Sequence, residues 1–140
     1  MEEEQRRALV AAAVGAKERA YSKYSNFPVG AALLCRDGTV VTGCSVDNAV
    51  HNLGLCAERT AVVKAVSEGR TEFAAVAVVS NSPSCVSPCG ACRQVLSEFS
   101  SDGSLEVVMA RSDGQHYKVM TVSELLPCAF SIKNLEETKH

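Results

Sequence analysis

The chain has 140 residues, a formal net charge of -2 from 14 basic and 16 acidic side chains, and 46% hydrophobic residues. That length suits one domain, residues 1–140, and the apolar share is enough for a packed core, which excludes a disordered chain. Mild acidity argues against long nucleic acids, whose phosphates call for a basic patch, and favours a small neutral substrate.

Along the chain, Gln5 to about Tyr21 is alanine-rich with Leu9, Ala12, Ala13 and Ala16 on one side, which predicts a helix. Ser22 to Asn26 breaks it. Val29 to Arg36 and Thr39 to Val46 are apolar, β-branched runs joined by Asp37-Gly38, a hairpin signal. Leu55 to about Glu68 has a helical pattern ended by Gly69. Phe73 to Val79 is apolar throughout, as a central strand covered on both faces must be. Pro88 suits the first turn of a helix running to about Phe99. Leu105 to Ala110 and Tyr117 to Thr121 read as strands around the turn Asp113-Gly114, and Ser123-x-x-Leu starts a short last helix halted near Pro127. Five strands with helices on both faces predict an α/β fold, a three-layer α/β/α sandwich around a mixed five-stranded sheet.

Seven cysteines are an odd number, so they cannot all pair within the chain. The opening Met-Glu-Glu-Glu lacks the basic-then-apolar pattern of a leader, and no apolar run approaches membrane-spanning length. A soluble cytoplasmic protein with reduced or metal-bound thiols is expected.

Pro88-Cys89-Gly90-Ala91-Cys92 sets two thiols at i and i+3 on one helix face, at an end whose dipole and free N–H groups favour thiolate. By itself this pair is ambiguous between zinc, a redox couple and ordinary buried cysteines. Cys56-Ala57-Glu58 supplies a third thiol at a second helix start; it reaches the same metal only if the ion lies off both helix ends. Three protein ligands leave a fourth position for water, the mark of a catalytic zinc site. Cys85, four residues before Cys89, is a rival fourth ligand that would close the site, and His51 is another candidate; both lie in loops without a partner at ligand spacing. Cys35, Cys44 and Cys128 read as small apolar fillers. Three thiolates on Zn²⁺ leave one negative charge, which two helix dipoles and Arg59 would offset. Glu58, two residues after a thiol ligand and upstream of C-x-x-C, matches the zinc deaminase pattern with cysteine in place of histidine.

At these residues the chain resembles the homotetrameric, nucleoside-acting cytidine deaminases. The resemblance rests on Tyr24-Ser25-Asn26-Phe27-Pro28-Val29-Gly30-Ala31-Ala32, Cys56-Ala57-Glu58-Arg59-Thr60-Ala61, Ser87-Pro88-Cys89-Gly90-Ala91-Cys92-Arg93-Gln94 and Glu124-Leu125-Leu126-Pro127, and runs from about Tyr21 to Phe130. It implies hydrolytic deamination of cytidine or deoxycytidine in pyrimidine salvage, with Cys56, Cys89 and Cys92 on zinc and Glu58 as proton shuttle. It also implies that Arg59 hydrogen-bonds the thiolates, that Phe27 packs near the pyrimidine, that backbone groups around Ala57 and Ser87 read the base edge, and that Phe130 reaches a neighbouring subunit's site. Where the family has Asn-x-Glu-Asn for the ribose, this chain has Ser45-Val46-Asp47-Asn48, and His51 replaces a family tyrosine. Ser45, Asp47 and His51 are therefore where the choice of substrate is open. A modified cytosine nucleoside or nucleoside antibiotic is the alternative substrate, and a non-catalytic zinc module the alternative function.

Overall fold

The computed structural model describes residues 1–137. At its centre lie β1 (Val29–Cys35), β2 (Val40–Cys44), β3 (Phe73–Ser80), β4 (Glu106–Ala110) and β5 (Tyr117–Thr121), in the order β2-β1-β3-β4-β5. The β3–β4 pair is parallel and the other three pairs are antiparallel, so the sheet is mixed as expected.

Side chains alternate across β3 and serve two separate cores. Ala75, Ala77 and Val79 pack with Leu9, Val10 and Ala13 of α1 (Glu3–Lys17). Val76 and Val78 pack in the cluster that holds Ala61, Val62 and Ala65 of α2 (Ala57–Ser67) and Leu96 of α3 (Gly90–Glu98). α1 on one face and α2 and α3 on the other make the three layers, and a strand buried from both sides carries no polar alternation. Two glycines let the layers close. A Cβ on Gly30 would run into the Ala13 carbonyl and the Lys17 amide of α1. A Cβ on Gly43 would lie 2.5 Å from the Ala61 nitrogen and 2.7 Å from the Ala57 oxygen of α2.

The helix ends differ from expectation. The first helix stops at Lys17, not Tyr21: the Tyr21 amide donates to the Ser45 carbonyl at 2.9 Å, and Tyr21 bridges Val46 beyond the end of β2. That long-range pairing takes the backbone an alanine-rich run would have kept helical. Pro88 lies outside α3, whose N-cap is Cys89. The short helix α4 (Val122–Leu125) starts one residue early because Thr121 and Glu124 form a reciprocal capping box. A further helix, α5 (Ile132–Glu137), was not anticipated.

Candidate metal centre and substrate cleft

Cys56 is the N-cap of α2 and Cys89 the N-cap of α3, with Cys92 one turn further on. Both caps have extended backbone, which turns their side chains off the helix ends. The two N-termini meet, and the three Sγ atoms lie within 4.8 Å of one another. Cys56 and Cys89 are 3.9 Å apart and Cys89 and Cys92 3.5 Å. Neither Cys85 nor His51 joins this group among the described residues. Cys85 instead packs half-buried against the core. Cys35 is buried as expected, whereas Cys44 is half-buried and donates to the Arg19 carbonyl. Cys128 is no filler: it is exposed, with a left-handed φ of 56°.

The surroundings favour thiolate. Arg59, on the first turn of α2, donates from Nη2 to the Cys56 sulfur at 3.3 Å. A hydrogen bond from Cys92, then the Arg59 guanidinium, bring the Cys56 thiol down to about 5. The Cys92 thiol is pushed up by giving that hydrogen bond and by burial. The Arg59 Nε is buried without a hydrogen-bond partner, a spare donor beside sulfurs that accept more strongly as thiolates. Three convergent sulfurs, two helix N-termini and this donor fit a borderline-soft cation such as zinc.

Glu58 sits beside the cluster at 4% exposure. Burial pushes its carboxyl up to about 7, and the neighbouring Cys56 thiolate adds to the rise. A carboxyl held there can both take and give a proton near neutral pH.

Glu58, Cys56 and Cys89 face a cleft of about 430 Å³. Phe27, Ser45, Asp47, His51, Arg59 and Ser87 also line it. Ala57 is wholly buried in the first turn of α2. Phe130 is not among the residues lining this cleft; it is 57% exposed and its carbonyl accepts from the Gln94 side chain. The side-chain oxygens of Ser45 and Asp47 are engaged by the protein itself. Ser45 Oγ accepts from the Val29 amide at 3.0 Å, and Asp47 accepts from Tyr24 and Ser25. Two contributors are not distinguished by the sequence pattern. Ser25 lines the cleft, and Arg93, directly after Cys92, fastens Ser87. Their positions inside the quoted motifs were the only signal available.

A family model described as the cytidine and deoxycytidylate deaminase zinc-binding region matches residues 3–110. The chain is 50% identical over 127 residues to the cytidine deaminase of Sporosarcina psychrophila, covering 91% of this chain and 92% of that one. It is 46% identical over 132 residues to that of Halalkalibacterium halodurans, covering 94% and 98%. The crystal structure of cytidine deaminase from Burkholderia pseudomallei superposes with a TM-score of 0.84 at 45% identity, over 93% of this chain and all of that one. With more than nine-tenths of each chain aligned at such identities, this chain belongs to the cytidine and deoxycytidylate deaminase family.

Proposed function

We propose that this chain hydrolyses the C4 amino group of a cytosine nucleoside, cytidine or deoxycytidine, giving the uracil nucleoside and ammonia. The observation that carries this reading is the buried Glu58 carboxyl, raised to about 7, beside three converging thiols, two of which line the same cleft. Cys56, Cys89 and Cys92 would hold zinc. Bound there, the metal supplies Lewis acidity, which brings the pKa of a water towards neutrality. Glu58 removes a proton from the attacking water and passes it to N3 of the base as oxygen adds to C4. It then delivers a proton to the departing amine, so that one water is consumed and one ammonia released. Arg59 keeps Cys56 as thiolate, Phe27 walls the base, and the segments at Ala57 and Ser87 face its edge.

The working unit is a cytoplasmic homotetramer with shared sites. The outward-facing Phe130 and a chain whose cysteines are all free thiols support this. Light scattering that gives a monomer's mass would overturn the assembly. No helix among the described residues is long and apolar enough to cross a membrane.

A second reading, a modified cytosine nucleoside as substrate, is favoured by one observation: Ser45 and Asp47 already use their oxygens within the protein. Ultraviolet absorbance with cytidine, deoxycytidine, cytosine, cytidine monophosphate and blasticidin S separates the two. Turnover of the first two supports the main reading, and turnover of another compound alone supports the second. Stoichiometric zinc without any deamination would point to a non-catalytic module.

A further inference from the structure

The aromatic wall of the cleft is carried by a short turn that has no regular secondary structure of its own. Residues 22–26 form this turn; Asn26 adopts a left-handed φ of 54° and its amide returns to the Ser22 carbonyl at 3.0 Å. Phe27 follows, 44% exposed, with its side chain on the cleft. Few apolar contacts are available to such a segment, so its position depends on polar ties.

Those ties converge on Asp47. Oδ2 accepts the amides of Tyr24 at 3.1 Å and Ser25 at 2.8 Å. Oδ1 accepts the Ser25 hydroxyl at 3.2 Å. The Ser25 oxygen in turn accepts the Phe27 amide at 3.2 Å. Asp47 is itself fixed, because its own amide donates to the Tyr21 carbonyl at 2.8 Å. On the other side of Phe27, Ser45 Oγ takes the Val29 amide. The carboxylate thus has three protein donors and reaches Phe27 through one intermediary.

We propose that Asp47 is a positioning residue: acting through Ser25 it holds Phe27 against the substrate, and it is not a direct acceptor for a sugar hydroxyl. This rests on the cytosine-nucleoside reading of the cleft. The consequence is for specificity. A carboxylate bonded to the sugar would discriminate strongly for one hydroxyl, whereas one that sets an aromatic wall acts alike on every substrate with the same base. The site then selects by base and tolerates change at the sugar.

The test is a substrate–variant matrix with wild type, Asp47→Ala, Phe27→Ala, the double variant and Ser25→Ala. Each is assayed for KM and kcat on cytidine, 2′-deoxycytidine and 2′,3′-dideoxycytidine. For D47A we expect KM to rise roughly tenfold by a similar factor on all three, with kcat changed less. In the F27A background the same substitution should change KM by less than about twofold, because the two residues act as one unit. S25A should move KM in the same direction by less. A penalty that disappears with the dideoxy substrate, or that persists undiminished in F27A, overturns the proposal. Hydrogen exchange over residues 22–29 is independent of turnover: D47A should speed exchange there and leave β3 protected. Unchanged exchange in this segment also overturns it. Wild type inactive on all three substrates defeats the nucleoside reading instead, and the exchange measurement still decides the role of Asp47.

Discussion

Arg93 donates from Nη2 to the Ser87 hydroxyl at 2.7 Å, and through the same guanidinium it ties together three segments around the thiol cluster. Nε donates to the Pro88 carbonyl at 2.8 Å and Nη1 to the Leu125 carbonyl at 2.7 Å. The loop that leads into Cys89, the helix that carries Cys92 and the end of α4 are thereby held by one side chain. Lysine cannot reproduce a planar fork with three directed donors. Arg93→Lys should lower the unfolding free energy by about 1–3 kcal/mol, through carbonyls left without partners. It should raise KM more than it lowers kcat, since Ser87 lines the cleft but stands apart from the proton path. Urea unfolding and steady-state kinetics check both.

The proposed reaction asks Glu58 to move every proton, and among the described residues no other carboxylate lines the cleft except Asp47, which is engaged by Tyr24 and Ser25. Glu58→Gln keeps the shape and loses the proton transfer. Turnover should fall by at least about 10²–10⁴-fold, with zinc content unchanged by metal analysis. Activity within tenfold of wild type would remove Glu58 from the mechanism.

Arg59 faces Cys56 with a charged donor at 3.3 Å. Arg59→Gln removes the charge, so the three thiolates lose their nearest cation. Zinc affinity should fall by roughly 10–100-fold, as for other partners that support metal ligands. Competition with a chromogenic chelator measures this without any substrate. Equal affinity in the two proteins would mean that the helix N-termini alone stabilise the thiolates.

The cysteine cluster was legible because its spacing is local: Cys89 and Cys92 are one turn apart, and Cys56 and Glu58 lie two residues apart at a helix start. The sheet was legible for a similar reason, since β3 announces burial on both faces through an unbroken apolar run. What stayed hidden depends on contacts between distant residues. Nothing near Tyr21 says that its amide will pair with Ser45, and so the alanine-rich pattern alone extends the first helix a turn too far. From their place in a motif, Ser45 and Asp47 show only where the choice of substrate is open. Their bonds to Val29 and Ser25 exist only once β2 and the turn before β1 lie side by side.

The pH dependence of that turn follows from Asp47. Amide and hydroxyl donors from Ser25, with the Tyr24 amide and nearby His51, hold its carboxyl below the ordinary value of 3.8. A depressed folded pKa contributes stability that is complete above the unfolded value and is lost as pH falls through the folded one. The stability difference between wild type and Asp47→Asn should therefore be fully present at about pH 5 and shrink below about 4. Urea midpoints measured across that range check it. A difference that grows as the solution is acidified would have the wrong sign for a carboxylate held by donors.

Gly43 offers a purely steric prediction. Gly43→Ala places a methyl group 2.5 Å from the Ala61 nitrogen and 2.7 Å from the Ala57 oxygen, both backbone atoms of α2 that cannot rotate away. The helix must move off the sheet, at about 1–3 kcal/mol for overpacking. Because the first turn of α2 carries Cys56 and Glu58, zinc affinity and turnover should fall together with stability. Gly15 is the control: it lies within α1, and an added Cβ there meets nothing within 4 Å. Gly15→Ala should stabilise by about 0.5–1 kcal/mol through helix propensity alone and leave the metal centre untouched. Thermal unfolding of both variants, read beside their zinc content, separates the two outcomes. If G43A bound zinc and unfolded like wild type, the close approach of α2 to β2 would not be what holds the first thiol in place.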